Sequence, residues 1–197
     1  APLRRQRQMG IRARFWPVAA QGAPLIAARF PRAFLDVNRE PYEFDPELFV
    51  EPLPDYANTQ SVRVAGGLGT VARIVADGEE IYATPISVAE GLDRIERYYK
   101  PYHQDLRSLI DQASRKFGTA VIIDCHSMPS SRVTQESRRR PDFVLVDRSG
   151  TSCTSILADV AQETLQRLGY TVARNKPYAG GFITETYGNP SDGLHAL

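Results

Sequence analysis

The sequence has few of the residues that mark a specialised class of protein. It contains two cysteines, three histidines, two methionines and one tryptophan among 197 residues. Cys125 and Cys153 are too few for the disulfide framework of a small secreted protein, so we expect a reducing, cytoplasmic setting, with a single disulfide as the open alternative. No apolar run approaches the roughly 18 residues that a membrane span requires, which excludes a membrane-spanning class.

Acidic residues are absent from the first 35 positions, where seven arginines occur and the first acid is Asp36. We interpret residues 1–23 as a basic N-terminal segment with little fixed structure. An organelle transit segment and a basic arm for nucleic acid are the alternatives. The formal net charge of the whole chain is only +1, which argues against a nucleic-acid partner elsewhere on the surface.

Residues 24–197 are interpreted as one α/β domain. Apolar runs predict strands at 24–30, 34–40, 119–125, 142–147 and 170–174. Apolar spacing predicts a long helix from Ser87, which Pro101 should kink or divide, and a second from about Thr154 to Leu168 with Gly169 as C-cap. Strand 119–125 has no polar face and should be covered on both sides. Helices alternating with strands favour a three-layer α/β/α fold with a mostly parallel sheet.

Reactive side chains follow the predicted strand 119–125 in the sequence Asp124, Cys125, His126, Ser127. Alternate residues of a strand share a face, so Asp124 and His126 should converge while Cys125 points away from them. The imidazole could bind a metal with Asp124 as co-ligand or orienting group, or it could be satisfied by local hydrogen bonds. A thiol nucleophile is disfavoured by this alternation, and Ser127 lacks the Gly-x-Ser-x-Gly turn of the α/β-hydrolases.

Two further segments carry candidate binding residues. Asn38 and Arg39 could pair with a substrate carboxylate, because a guanidinium offers a planar two-pronged donor, although a structural ion pair is an equal alternative. The segment 175–188 contains Tyr178, Gly180 and Gly181, where the glycines permit close backbone approach or a turn.

Seven segments in the same order resemble the N-formylglutamate amidohydrolase family over residues 24–197. They are FLDVNRE, GGLGTVARIVADGEEIY, YYKPYHQDL, IDCHSMPS, DFVLVDRSGTSC, NKPYAGGFITETYG and GLHAL. The family is similar in fold to the zinc carboxypeptidases and aspartoacylase, of the phosphorylase/hydrolase-like type. The resemblance implies a zinc-dependent hydrolase of a non-peptide C–N bond that converts N-formyl-L-glutamate and water to formate and L-glutamate, a step of histidine catabolism.

The resemblance also implies roles for individual residues. His126 matches a zinc ligand and Asp124 a residue that orients it, while Asn38 and Arg39 match the clamp on a substrate carboxylate. We expect Arg148, Tyr178, Gly180 and Gly181 to line the substrate site. The expected partner is therefore a small acidic N-acyl amino acid, and one zinc ion is the expected cofactor.

The sequence departs from the family pattern at both ends. The family has a zinc-binding histidine and an acidic ligand upstream of Asp-Val-Asn-Arg, where this chain has its arginine-rich segment. The family continues past His-Ala-Leu to a general-base glutamate, whereas this chain stops at Leu197. We therefore expect a chain truncated at both ends, in which the catalytic base and the other ligands are not identified. A non-catalytic carboxylate-binding family fragment and a related zinc acyl-amino-acid hydrolase are the alternatives.

Overall fold

A computed structural model describes residues 14–75, 78–128 and 141–197 of the chain. Clustering of spatial neighbours divides the chain into two units, Ala1–Leu109 and Ile110–Leu197. The division into two compact units does not test whether residues 24–197 form a single domain, which stays a prediction. Most of the predicted basic segment 1–23 lies outside the described residues, and its described end forms an exposed 3-10 helix, Trp16–Gln21.

The first unit is built from helices and loops. Its helices are α1 (Val62–Ala65), α2 (Val88–Arg94) and the start of α3 (Lys100–Phe117), with a 3-10 turn at Pro46–Leu48. The strands predicted at 24–30 and 34–40 are wrong: within the described part of this unit, β pairing is limited to isolated bridges such as Glu43–Asn58. Pro31 is the physical reason for the second error, since its carbonyl accepts the Phe34 N–H at 2.9 Å and closes a turn.

The core of the first unit is apolar and well covered. Its fully buried hydrophobic side chains include Leu35, Phe44, Leu48, Val71 and Ile95. Phe44 and Phe49 pack with ring centroids 5.1 Å apart. This packing holds the Pro46–Leu48 turn, and with it residues 35–45, in place against the helices.

The long predicted helix is divided, as expected from Pro101. Ser87 accepts a hydrogen bond from the Glu90 N–H at 3.1 Å and begins α2. A π-helical segment, Ile95–Tyr99, then joins α2 to α3. A proline has no N–H to donate and clashes with the preceding turn, and a π turn is one way in which a helix accommodates such a break.

The second unit contains two small parallel sheets. Strand β1 (Ala120–Ile122) pairs with β4 (Leu194–Ala196), and β2 (Phe143–Leu145) pairs with β3 (Val172–Arg174). The helices of this unit are α4 (Ser155–Arg167) and α5 (Phe182–Tyr187), with 3-10 turns at Arg148–Gly150 and Pro190–Asp192. The α/β class is confirmed and β4 is an additional strand, whereas a three-layer arrangement around one sheet stays a prediction.

The strand predicted to be covered on both faces is partly exposed. Val121 keeps 47% and Ile123 keeps 71% of its surface accessible, so full coverage of this strand is wrong for the described residues. The strand is only three residues long and pairs with β4 alone. At the end of α4, Gly169 adopts the predicted left-handed conformation (φ 89°). Every helix within the described ranges is too short or too polar to span a membrane.

Candidate functional site

The segment that carries Asn38 and Arg39 lies in the first unit and is held by backbone contacts. The Asp36 N–H donates to the Thr70 carbonyl at 2.8 Å, and Asp36 Oδ1 accepts the Asn38 N–H at 3.0 Å. Asp36 Oδ2 accepts Arg32 Nη2 at 2.5 Å. Asn38 is buried, with 6% of its surface accessible. The segment is therefore an ordered loop that fixes its polar side chains, in place of the predicted strand.

The guanidinium of Arg39 is oriented but not surrounded by acceptors. Its Nε donates to the Leu68 carbonyl at 3.2 Å and its Nη1 to the Asn38 carbonyl at 3.3 Å. Its Nη2 makes no hydrogen bond within the described residues. The nearest carboxylate oxygen, Oδ2 of Asp36, lies 3.7 Å from Nε and is already paired with Arg32.

The electrostatic setting of Arg39 favours an anion. Burial lowers the pKa of Arg39, and the neighbouring Arg63 and Arg32 lower it further, while Asp36 acts in the opposite direction. An arginine stays protonated at neutral pH whatever the size of such a shift. A half-buried cation whose pKa is lowered has incomplete compensation, which a carboxylate at Nη2 would provide.

Asp124 and His126 meet as predicted, although both lie beyond the end of β1. They lie in the second unit, where His126 Nε2 and Asp124 Oδ2 are 2.9 Å apart. The backbone N–H of Asp124 donates to the Leu197 carbonyl at 2.8 Å, which ties the pair to the end of β4. The His126 side chain is 44% exposed and that of Asp124 is 17% exposed. This is a carboxylate–imidazole pair whose ring orientation is held by the acid.

The neighbouring thiol has an electrostatic setting that disfavours a nucleophile. Burial raises the pKa of Cys125 to about 11, and the adjacent Asp124 carboxylate adds to the rise. The nucleophilic form of cysteine is the thiolate, which is scarce at neutral pH for such a group. Both Cys125 and Cys153 are free, so the single-disulfide alternative is wrong.

The described residues do not assemble a complete metal site. Across 14–75, 78–128 and 141–197, no three histidine, cysteine, aspartate or glutamate side chains cluster closely enough to hold a metal ion. A catalytic zinc normally has three protein ligands and a water. The Asp124–His126 pair fits one arm of such a site and no more.

Arg148 and Gly180 are brought into contact in the second unit. A Cβ atom at Gly180 (φ 112°) would lie 2.9 Å from Cγ of Arg148 and 2.8 Å from Oγ1 of Thr184, so only glycine fits here. Arg148 Nη2 lies 3.1 Å from Oε1 of Glu185. Gly181 is also expected to line the substrate site, and its N–H donates to Thr184 Oγ1 at 3.1 Å. Glycine is thus needed at Gly180 for a close approach to Arg148.

Tyr178 stands apart from these contacts, with 45% of its surface accessible. The structure therefore joins Asp124 to His126 and Arg148 to Gly180, and it holds Asn38 beside Arg39. No described contact draws Tyr178 toward any of these groups.

Several polar residues at these places were missed in the sequence. Asn175 and Asp147 form two hydrogen bonds with each other. The Asp147 N–H donates to Asn175 Oδ1 at 3.1 Å, and Asn175 Nδ2 donates to Asp147 Oδ1 at 2.7 Å. Tyr99 and His103 donate to backbone carbonyls beside Asn38, at 2.6 and 2.9 Å. Tyr99 and His103 are four positions apart, a spacing that places two side chains on one helix face. Their acceptors lie 60 and 66 positions away, a pairing that no local pattern indicates.

A family model and two curated relatives that resemble this chain are named for the same substrate, N-formylglutamate. The family model for N-formylglutamate amidohydrolase matches residues 3–197. An N-formylglutamate deformylase of Pseudomonas putida is 29% identical over 180 residues, which is 89% of this chain and 61% of the relative. The corresponding Pseudomonas aeruginosa protein is 28% identical over 179 residues, again 89% of this chain and 61% of the relative. The chain thus spans 61% of the length of these curated relatives.

Solved structures agree with the sequence comparisons. A crystal structure of N-formylglutamate amidohydrolase from Ralstonia eutropha superimposes with a TM-score of 0.79 at 36% identity, covering 86% of this chain and 62% of that one. A gene product of Agrobacterium tumefaciens is similar at a TM-score of 0.55 and 20% identity, covering 85% of this chain and 56% of that one, which supports the fold alone. The chain belongs to the N-formylglutamate amidohydrolase family.

Proposed function

We propose that the protein hydrolyses the formamide bond of N-formyl-L-glutamate. Water adds across the C–N bond, and the products are formate and L-glutamate. Family membership supports the reaction class. The observation that carries the proposal is the arrangement around Arg39, since a glutamate derivative presents a carboxylate to Nη2, which makes no hydrogen bond among the described residues. A cytoplasmic place in histidine breakdown follows from the same proposal.

The carboxylate clamp acts through its own residues. Arg39 offers its Nη2 edge to a substrate carboxylate, while Leu68 and Asn38 carbonyls hold the other side of the guanidinium. Hydrogen bonds to a charged group contribute roughly 1.5–3 kcal/mol each. Asn38 is buried next to Arg39 and is the second residue of the proposed clamp. The clamp would bind the substrate and orient its amide for attack.

We propose His126 as one ligand of a catalytic zinc ion. Asp124 contacts Nε2, and its carboxylate would fix the orientation of the ring. Zinc, when bound, polarises a carbonyl and lowers the pKa of a bound water. The described residues supply this single ligand only, and the other ligands and the general base are not assigned.

Arg148, Tyr178, Gly180 and Gly181 are proposed as wall residues of the substrate site. The support is the close approach of the Arg148 side-chain methylenes to Gly180, while the Arg148 guanidinium pairs with Glu185. The acyl group is not fixed by a carboxylate clamp. A related zinc acyl-amino-acid hydrolase therefore remains as an alternative, and N-acetyl-L-glutamate is the substrate that separates the two.

The test is formate release from N-formyl-L-glutamate together with the zinc content of the purified protein. We expect His126→Ala to lose both zinc and turnover, because it removes a ligand. Arg39→Lys should raise KM about tenfold or more with a smaller effect on kcat, because it removes the two-pronged donor. Glu163→Gln, a charge change on α4, is the matched control. Turnover that survives in zinc-free protein or in His126→Ala would contradict the metal assignment.

A second candidate function is carboxylate binding without catalysis. It is favoured by one observation: the described hydrogen bonds and the ion pair of the Arg39 guanidinium are all supplied within the first unit. In this case no formate appears, yet L-glutamate and N-formyl-L-glutamate bind after chelation of metal. That binding should disappear in Arg39→Ala.

A further inference from the structure

The two backbone carbonyls that flank Asn38 are held by two side chains of one helical stretch. The Tyr99 hydroxyl donates to the Arg39 carbonyl at 2.6 Å. His103 Nε2 lies 2.9 Å from the Val37 carbonyl. A carbonyl can only accept, so His103 must carry its proton on Nε2 in this contact. The peptide unit before Asn38 and the peptide unit after Arg39 are thus both held by side chains of this helical stretch.

Tyr99 and His103 form one rigid unit. They are four residues apart, which places them on the same helix face, and their rings lie 4.3 Å apart at an interplanar angle of 32°. Tyr99 keeps only 4% of its surface accessible. Tyr99 is also the last residue of the π-helical segment, an irregularity that often occurs at functional sites.

The opposite edge of the Asn38–Arg39 segment is held by another part of the first unit. The Asp36 N–H donates to the Thr70 carbonyl at 2.8 Å, and Arg39 Nε donates to the Leu68 carbonyl at 3.2 Å. Helix side chains therefore hold the carbonyls of the segment, and the 68–70 loop accepts its N–H groups. With both edges anchored, the directions of the Asn38 and Arg39 side chains are set before any ligand arrives.

A packing role alone does not account for this pattern. A phenylalanine at position 99 would fill the same volume as Tyr99, and an aliphatic side chain at position 103 could replace the imidazole. The Tyr99 hydroxyl and His103 Nε2 each contact a backbone carbonyl of a residue next to Asn38. Their effect is on the orientation of the segment that binds the carboxylate.

We propose that Tyr99 and His103 are positioning residues for the Asn38–Arg39 clamp and set its affinity for carboxylate ligands through the carbonyls of Val37 and Arg39. This role rests on the carboxylate clamp proposed above. Neither residue needs to touch the ligand. The clamp is preorganised because Tyr99 ends the π-helical segment and His103 lies in the first turn of α3, which follows that segment without a break.

The experiment is calorimetric titration of chelator-treated protein with N-formyl-L-glutamate and L-glutamate, at a temperature where each variant is fully folded. Tyr99→Phe removes only the hydroxyl, and we expect Kd to rise about five- to tenfold. His103→Leu should weaken binding similarly. His103→Gln should restore Kd to within about twofold of the unmodified chain, because its Nε2–H₂ group can still donate to the Val37 carbonyl.

Tyr98→Phe is the matched control, because Tyr98 is adjacent in sequence but packs its ring against Phe30 and Phe34. It should leave Kd unchanged. If Tyr99→Phe and His103→Leu lower thermal stability but leave Kd as it is, the positioning role is overturned while the clamp stands. If the unmodified chain binds neither ligand, or Arg39→Ala binds as well as it does, the clamp itself is overturned and the positioning role with it.

Discussion

Arg148 and Ser149 hold left-handed backbone conformations that few residues other than glycine adopt, with φ angles of 49° and 58°. Asn175 has a φ angle of 54°, a conformation that asparagine tolerates better than most residues do. Arg148 and Ser149 each cost roughly 1–2 kcal/mol, so other contacts must maintain them. The reciprocal hydrogen bonds between Asp147 and Asn175 do so. The strained turn directs the Arg148 side chain toward Gly180 and Glu185.

Glu185 should limit the affinity of this site for acidic ligands. Its carboxylate already pairs with Arg148 at 3.1 Å, and a ligand carboxylate would have to compete with it. We expect Glu185→Gln to lower Kd for N-formyl-L-glutamate about two- to fivefold at low salt, since exposed ion pairs contribute roughly 0.2–1 kcal/mol. The measurement is calorimetry at two salt concentrations, and the gain should shrink at high salt.

Glu163→Gln makes the same change in net charge on α4 and should leave Kd unchanged. A gain in affinity cannot result from loss of folding, so the direction of the effect is diagnostic. Equal or weaker binding by Glu185→Gln would remove Arg148 from the ligand site.

At the scale of elements, α2 packs against aromatic rings at a position that has no room for a side chain. A Cβ atom at Gly91 would lie 2.7 Å from Cε1 of Phe49. Phe49 is itself buried and packed against Phe44. The glycine therefore allows the close approach of the helix to the Pro46–Leu48 turn, at the expense of helix propensity.

Gly91→Ala should destabilise the protein although alanine is the better helix former. Propensity alone predicts a gain of about 1 kcal/mol, whereas overpacking against Phe49 costs about 1–3 kcal/mol. Urea unfolding measures the balance, and Ala89→Gly in the same helix measures the propensity contribution. The double variant Gly91→Ala/Phe49→Leu should recover part of the loss through coupling between neighbours. A more stable Gly91→Ala protein would contradict the packing described.

The helices were predictable because their signals are local. Ser87 caps α2, Gly169 follows the end of α4, and the helix is irregular before Pro101. All three features depend on contacts within a few residues of the chain. The strands at 24–30 and 34–40 were predicted wrongly from apolar runs. Such runs also occur where a loop buries its side chains, as at Leu35. A buried loop is distinguished from a strand here by a tertiary contact, the hydrogen bond from the Asp36 N–H to the Thr70 carbonyl.

At the scale of the whole molecule, the candidate site could be predicted only in part. Strand alternation predicted that Asp124 and His126 converge, and they do. The supports of the clamp were not predictable, because Tyr99 and His103 bind carbonyls that the chain brings near only after folding. Local spacing predicts which side chains share a face, and it does not predict the distant backbone that they meet.

The same long-range contact should make the stability of the protein depend on pH. Burial lowers the pKa of His103, although its hydrogen bond to Val37 opposes the shift. The unfolded chain, with an ordinary pKa of about 6.5, then binds a proton more readily than the folded chain. Above that pH both states are neutral at His103, and the free energy of unfolding does not change through this group. As the pH falls below about 6.5 toward the lowered folded pKa, the protein should lose stability, with a slope of at most about 1.4 kcal/mol per pH unit.

The check is urea unfolding of the unmodified protein and of His103→Gln between pH 8 and pH 5. Glutamine keeps a donor to the Val37 carbonyl but does not titrate, so the difference in unfolding free energy isolates His103 from the carboxylates and the other histidines. We expect this difference to be constant at high pH and to move in favour of His103→Gln as the pH falls. A difference that stays constant, or that moves in favour of the unmodified protein in acid, would mean that the imidazole is not desolvated by its packing against Tyr99.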